Sequence, residues 1–130
     1  AGLPPGELVQ TVERLRLRRF RTEDGTELID LPGAPLPDPD VPAPVRFLPT
    51  WDASLLVHCR RARIIPEEFR PHIFSTKMPQ SVGTFMIDGA VAGSWRLEGD
   101  RILTDYFEPV PHARHREVER EAEALSRFYR

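Results

Sequence analysis

Arginine has the greatest chemical reach of any residue type in this chain. Seventeen of the eighteen basic residues are arginine, Lys77 being the exception. They gather in two places: Arg14, Arg16, Arg18, Arg19 and Arg21, opposed locally only by Glu13, and then Arg60, Arg61 and Arg63. A guanidinium stays charged, and its planar fork grips a phosphate or a carboxylate through two parallel hydrogen bonds. Arg16, Arg18, Arg19, Arg21, Arg60, Arg61 and Arg63 are therefore the candidate nucleic-acid-binding residues. The competing reading is internal ion pairing, with Glu23, Asp24 and Glu27 balancing the first group and Asp52 a partner for the second.

Other reactive side chains offer less. His58, His72, His112 and His115 lack the spacing of a metal motif, although His112 and His115 can share a helix face. Ser54, Ser75, Ser81, Ser94 and Ser126 have no nucleophile-elbow context. Gly89 and Gly93 sit in a hairpin pattern rather than a phosphate-binding loop. No catalytic residue, metal ligand or cofactor is expected. The lone Cys59 excludes an intramolecular disulfide and a cysteine zinc cluster, and reads as a small buried hydrophobe.

Bulk composition narrows the partners. A net charge of −2 over 130 residues argues against non-specific coating of nucleic acid, because that affinity comes from many neutralised phosphates. It leaves room for a local basic face. No apolar run approaches the ~20 residues that span a bilayer, and no signal peptide is evident, so no membrane partner and a cytoplasmic location are expected. The weight of arginine, alanine and proline suggests a GC-rich bacterial genome.

These arginines must be positioned by local elements. Leu8, Val9, Val12 and Leu15 recur at helical spacing after Pro4-Pro5, which predicts a helix over 5–16. Residues 17–22 and 26–31 read as two strands joined by Glu23-Asp24-Gly25. Alternation puts Arg19 and Arg21 on one face of the first strand and Arg18 and Phe20 on the other, which suits a protruding hairpin. Residues 32–44, with six prolines, form an extended connector with no binding role.

A strand at 45–48, a turn capped by Asp52 and a helical turn at 66–69 follow, and 70–81 reads as a long loop. A three-stranded meander is expected at 83–88, 90–98 and 101–108, with Asp88-Gly89 supplying the positive φ angles of its first turn. A helix over 112–129 carries Val118, Ala122, Leu125 and Tyr129 along one face. The fold class is α+β, with a helix and hairpin (1–31), a proline linker (32–44) and an antiparallel β domain closed by the last helix (45–130). Phe85, Ile87, Val91, Trp95, Leu97, Ile102, Leu103 and Phe107 are its expected core.

Several segments together resemble a bacterial family. They are Leu28-Ile29-Asp30-Leu31-Pro32, the Pro/Asp linker, Arg46-Phe47-Leu48-Pro49 with Asp52, and Asp88-Gly89-Ala90-Val91-Ala92-Gly93-Ser94-Trp95-Arg96. The chain is similar to the C-terminal part of the winged helix DNA-binding domain proteins, some of which are DNA glycosylases that unhook interstrand crosslinks. The resemblance implies the end of a winged helix (third helix and wing) followed by a barrel-like β domain. It also implies double-stranded DNA as partner. The first two helices of that winged helix would then precede this sequence.

The family's glycosylases use a Gln-x-Gln or Gln-x-Asp motif that neither Gln10 nor Gln80 makes, so no catalytic residue carries over. Three functions are weighed: a DNA-binding accessory module, a structural or interaction domain without nucleic-acid contact, and the non-catalytic part of a crosslink-repair glycosylase. A helix lacking its neighbours leaves Leu8, Val9, Val12 and Leu15 uncovered. The missing winged-helix part or a second copy of the chain is the expected cover, making a homodimer through residues 1–31.

Overall fold

Asp88 and Gly89 adopt φ of 51° and 83°, the consecutive left-handed pair that lets two strands meet without splaying. In the computed structural model, which describes residues 5–56, 61–74 and 81–130, this turn joins β4 (Gly83–Ile87) to β5 (Ala90–Glu98). Gly99, at φ 62°, helps turn β5 into β6 (Arg101–Tyr106). The short strand β3 (Arg46–Leu48) pairs with β4, giving an antiparallel sheet in the order β3-β4-β5-β6.

One row across this sheet explains why glycine stands in β5. Phe47, Phe85, Gly93 and Tyr106 lie opposite one another on successive strands. The Phe85 ring lies over Gly93, stacking on Phe47 at 5.6 Å and meeting Tyr106 edge-on at 5.1 Å. A Cβ at position 93 would come within 2.4 Å of the Phe85 ring and of the Asp105 carbonyl oxygen. Gly83 plays the same part for Trp95, its cross-strand partner, whose ring would stand 2.8 Å from an added Cβ. The Trp95 indole N–H donates to the Leu48 carbonyl at 2.9 Å, tying β5 to β3 across β4. Register slips between Phe85 and Met86 so that Ala92 is the extra residue of a bulge.

The sheet is covered on both faces. The helix α4 (His112–Phe128) sets Val118 among Val45, Phe85, Ile87 and Ala92, with Phe47, Tyr106 and Val110 beside them. Near its end the Ser126 hydroxyl accepts the Ile102 N–H and donates to the Ala122 carbonyl. On the other face Leu55, Ile65, Phe69, Ile73 and Val91 form a second cluster. Its residues come from α2 (Ala53–Leu56), the irregular segment that carries Ile65, a 3-10 turn (Glu67–Phe69), α3 (Arg70–Ile73) and the sheet.

The α+β class and the four-stranded sheet agree with the sequence reading; three details differ. Residues 70–73 form α3 rather than loop, because Ile73 has a sheet face to fill. Leu97 is 42 % exposed: β4 stops at Gly83, opposite Trp95, so the far end of the β5–β6 hairpin lacks a third strand beside it. Tyr129 lies past the end of α4 and is exposed. The expected core residues Phe85, Ile87 and Val91 are buried, while Trp95, Ile102, Leu103 and Phe107 are half-buried.

Residues 1–41 cluster as a unit separate from 42–130. The first unit contains α1 (Pro5–Arg14) and an antiparallel pair, β1 (Arg18–Arg21) and β2 (Glu27–Asp30). Gly25, at φ 83°, occupies the turn between them, where the Thr22 N–H donates to the Thr26 carbonyl at 2.9 Å. No helix or strand follows until β3.

Candidate nucleic-acid interface

Strand alternation sorts the arginines of β1 into two kinds. Arg18 and Phe20 are half-buried, and Arg19 and Arg21 are exposed. Arg18 lies opposite Asp30. Its Nη2 donates to the Asp30 carboxylate at 2.9 Å and to the Ala34 carbonyl at 2.8 Å, and its guanidinium sits 5.0 Å from the centre of the Phe20 ring. The hydrogen bond from Arg18, followed by that from the Leu31 N–H, holds the Asp30 carboxyl below the usual carboxylate range. Arg18 is thus a brace that joins both strands to the segment leaving β2.

Arg19 and Arg21 share the other face with Glu27 and Ile29. Glu27 stands directly opposite Arg21 but pairs diagonally with Arg19. This choice leaves Arg21 exposed and without an ion pair among the described residues, and Arg16 is in the same condition. The hairpin tip has the opposite sign. Asp24 is held there by the Thr22 hydroxyl and the Thr26 N–H, which lower its pKa, and Glu23 stands beside it. The cationic surface therefore runs along the exposed face of the hairpin, from Arg16 at its base to Arg21 beside the acidic tip.

The second arginine group also divides. Arg60, with His58 and Cys59, lies outside the described residues. Arg61 donates to the Leu55 carbonyl at 2.6 Å and rests 5.2 Å from the centre of the Phe74 ring. It thereby ties its own segment to the backbone of α2. Asp52 is not its partner: the Asp52 carboxylate accepts the Ser54 N–H at 2.8 Å and caps the start of α2. Arg63 is exposed and makes no ion pair among the described residues.

Two of the described histidines pack against aromatic rings. His72 stacks on Phe107 at 5.1 Å and His115 lies against Tyr106 at 4.4 Å, while His112 is exposed at the start of α4. Burial raises the Tyr106 pKa, and the charge of Glu119 adds to the shift. Among the described residues no three His, Cys, Asp or Glu side chains converge on a metal position, and no helix is long and apolar enough to cross a membrane.

An arginine-bearing hairpin and a four-stranded sheet closed by a helix define an α+β protein whose charged surface, rather than an enclosed reactive centre, is its most developed chemical feature. Over residues 1–128 the chain matches the family described as DNA glycosylase AlkZ-like. It belongs to that family, the one to which its sequence motifs point, and its function is DNA-related. Comparison with curated proteins and with solved structures gives no match.

Proposed function

We infer that this chain is a DNA-binding accessory module of a crosslink-repair glycosylase, non-catalytic in itself, that holds duplex DNA by its phosphates. The observation that carries this reading is the sorting of the arginines. Arg16, Arg21 and Arg63 are exposed and free of ion pairs among the described residues, Arg19 is held only by an exposed carboxylate, and Arg18 and Arg61 are spent on the fold. On this reading α1 and the β1–β2 hairpin are the last helix and wing of a winged helix. The acidic tip keeps that wing out of the minor groove, so its base and exposed face meet the backbone.

Anisotropy of a labelled duplex, measured against salt, tests the proposal. Binding in the micromolar range at low salt is expected, and each lost phosphate contact reduces the logarithmic salt slope by about 0.9. Replacing Arg16, Arg19 and Arg21 together by Ala lowers the slope by about two to three on this basis. The Arg18→Ala variant weakens binding only as far as it loosens the hairpin. No binding at low salt ends the reading. With Gln10 followed by Thr11-Val12 in place of the glutamine motif, no abasic sites should form on a crosslinked duplex.

A second reading rests on apolar exposure in the first unit. Val9 is 57 % and Leu15 54 % exposed on or beside α1, surface that other winged-helix elements or a second copy of this chain would cover. Sedimentation of the whole chain as a monomer well above micromolar concentration removes the dimer.

A further inference from the structure

Trp51 is held where its backbone conformation and its exposure both look unfavourable. Its φ is 64°, a left-handed value that a bulky side chain adopts only when its surroundings impose it. A residue chosen for this turn alone would be glycine or asparagine, and one chosen for the core would bury its ring. Trp51 does neither: it is 50 % exposed, while its N–H donates at 2.8 Å to the hydroxyl of the buried Ser81. The turn fixes the backbone and leaves the indole in solvent.

The same contacts lead from its backbone to one cation, Arg61. Ser81 pairs with Phe74, Phe74 lies beneath the Arg61 guanidinium, and Arg61 donates to the Leu55 carbonyl in the helix that begins two residues after Trp51. A ring of four contacts therefore ties positions 51–55, 61, 74 and 81 into one cluster. Arg63, exposed and unpaired among the described residues, projects from the same segment as Arg61. The carboxylate of the following residue, Asp52, accepts the Ser54 N–H.

We propose that Trp51 is a stacking platform for an unpaired nucleobase of single-stranded DNA, with Arg63 meeting an adjacent phosphate. Exposed aromatic rings together with arginine hold single strands without reading their sequence, since every base presents a π-face; here the ring is half-exposed and Arg61 belongs to the same contact cluster. This inference rests on the DNA-binding reading but differs from it in substrate state, residue and unit of the chain. Protein docking on the same indole would show no preference for unpaired bases.

Binding of the full chain to a labelled oligothymidylate, and to a blunt duplex, across a salt series tests the platform. The Trp51→Ala variant should lose about tenfold in affinity for the single strand and keep its salt slope, because stacking releases no counterions. Trp51→Phe should retain most of the affinity. Arg63→Ala should lower the single-strand slope by about 0.7. Tryptophan emission should be quenched by oligothymidylate in the parent and not in Trp51→Phe, where the half-buried Trp95 reports only the fold.

Trp51→Gly guards against misfolding: it should bind as weakly as the Ala variant while melting at or above the parent, since glycine takes φ 64° freely. If Trp51→Ala and Trp51→Gly bind the single strand as the parent does, the platform is overturned and the duplex reading stands. If the parent binds neither probe at low salt, both fall.

Discussion

Replacing Gly93 by Ala tests the logic of the sheet most severely. The new methyl would stand 2.4 Å from Cε1 and Cζ of Phe85 and 2.4 Å from the Asp105 carbonyl oxygen. Ordinary contacts of this kind lie near 3.5–4.0 Å, so more than about 1 Å must be found on two sides at once. The carbonyl belongs to β6, and moving it opens the β5–β6 ladder. The ring is completely buried between Phe47 and Tyr106. Overpacking a tight core costs about 1–3 kcal/mol. Losing the edge-on Phe85–Tyr106 geometry adds roughly 0.5–1.5 kcal/mol.

A total of about 1.5–4.5 kcal/mol corresponds, for a domain this size, to a fall in melting temperature of roughly 6–36 °C. Thermal unfolding followed by near-ultraviolet circular dichroism measures it. Phe85→Leu in the Gly93→Ala background should recover part of the loss, a coupling that a double-mutant cycle reads directly. Gly83→Ala should cost less, since the group it meets is the half-buried Trp95 ring. If Gly93→Ala melts within about 4 °C of the parent, a shift worth no more than ~1 kcal/mol, the account of the glycine–aromatic pairing is wrong.

Three further outcomes follow from groups already described. The Thr84 hydroxyl is buried without a hydrogen-bond partner among the described residues, so the near-isosteric Thr84→Val should raise stability by about 1–2 kcal/mol in urea unfolding, and a loss would reveal a partner. Tyr106 ionises above its ordinary value near 10, so the stability it gives is complete below that pH and is lost as pH rises through the folded pKa. Tyr106→Phe should flatten this alkaline decline in a urea-midpoint series. The lowered pKa of Asp30 works in the other sense: its contribution is present above about pH 3.9 and is lost as pH falls through the folded pKa. Amide protection factors in β1 and β2, corrected for the intrinsic pH dependence of exchange, should fall on acidification, and Asp30→Asn should remove that fall.

The parts of the fold open to sequence reading were those set by local rules. The φ demands of Asp88-Gly89, the period-two pattern around them and the proline run fix a hairpin and an irregular segment with little help from tertiary contacts. The second core cluster was hidden because Leu55, Phe69 and Ile73 sit in helical turns too short to show a period, and Ile65 in an irregular segment. They are ordered by the sheet face they cover. Leu97 misled because alternation marks a strand face without showing where its neighbour ends.

The same limit applies at the charged surface. The positions of the arginines were plain, but which of them are free depends on Glu27 choosing Arg19 over Arg21 and on Arg61 finding two carbonyls of α2. Trp51 gave no local signal, since nothing in Pro49-Thr50-Trp51-Asp52 announces a left-handed tryptophan.

The opposite signs set close together on the β1–β2 hairpin, arginines along its exposed face and carboxylates at its tip, have a kinetic consequence. Base and tip are separated by about four residues of strand, roughly 13 Å at 3.3 Å per residue, comparable with the ~8 Å screening length at physiological ionic strength. A polyanion at a distance senses mainly the net charge of −2 and is not drawn in. Only at close range does it resolve the arginines from the carboxylates. Encounter should therefore be slow for a DNA-binding surface and nearly indifferent to salt, and salt should act chiefly by shortening the lifetime of the complex. The hairpin would select orientation after contact rather than accelerate arrival.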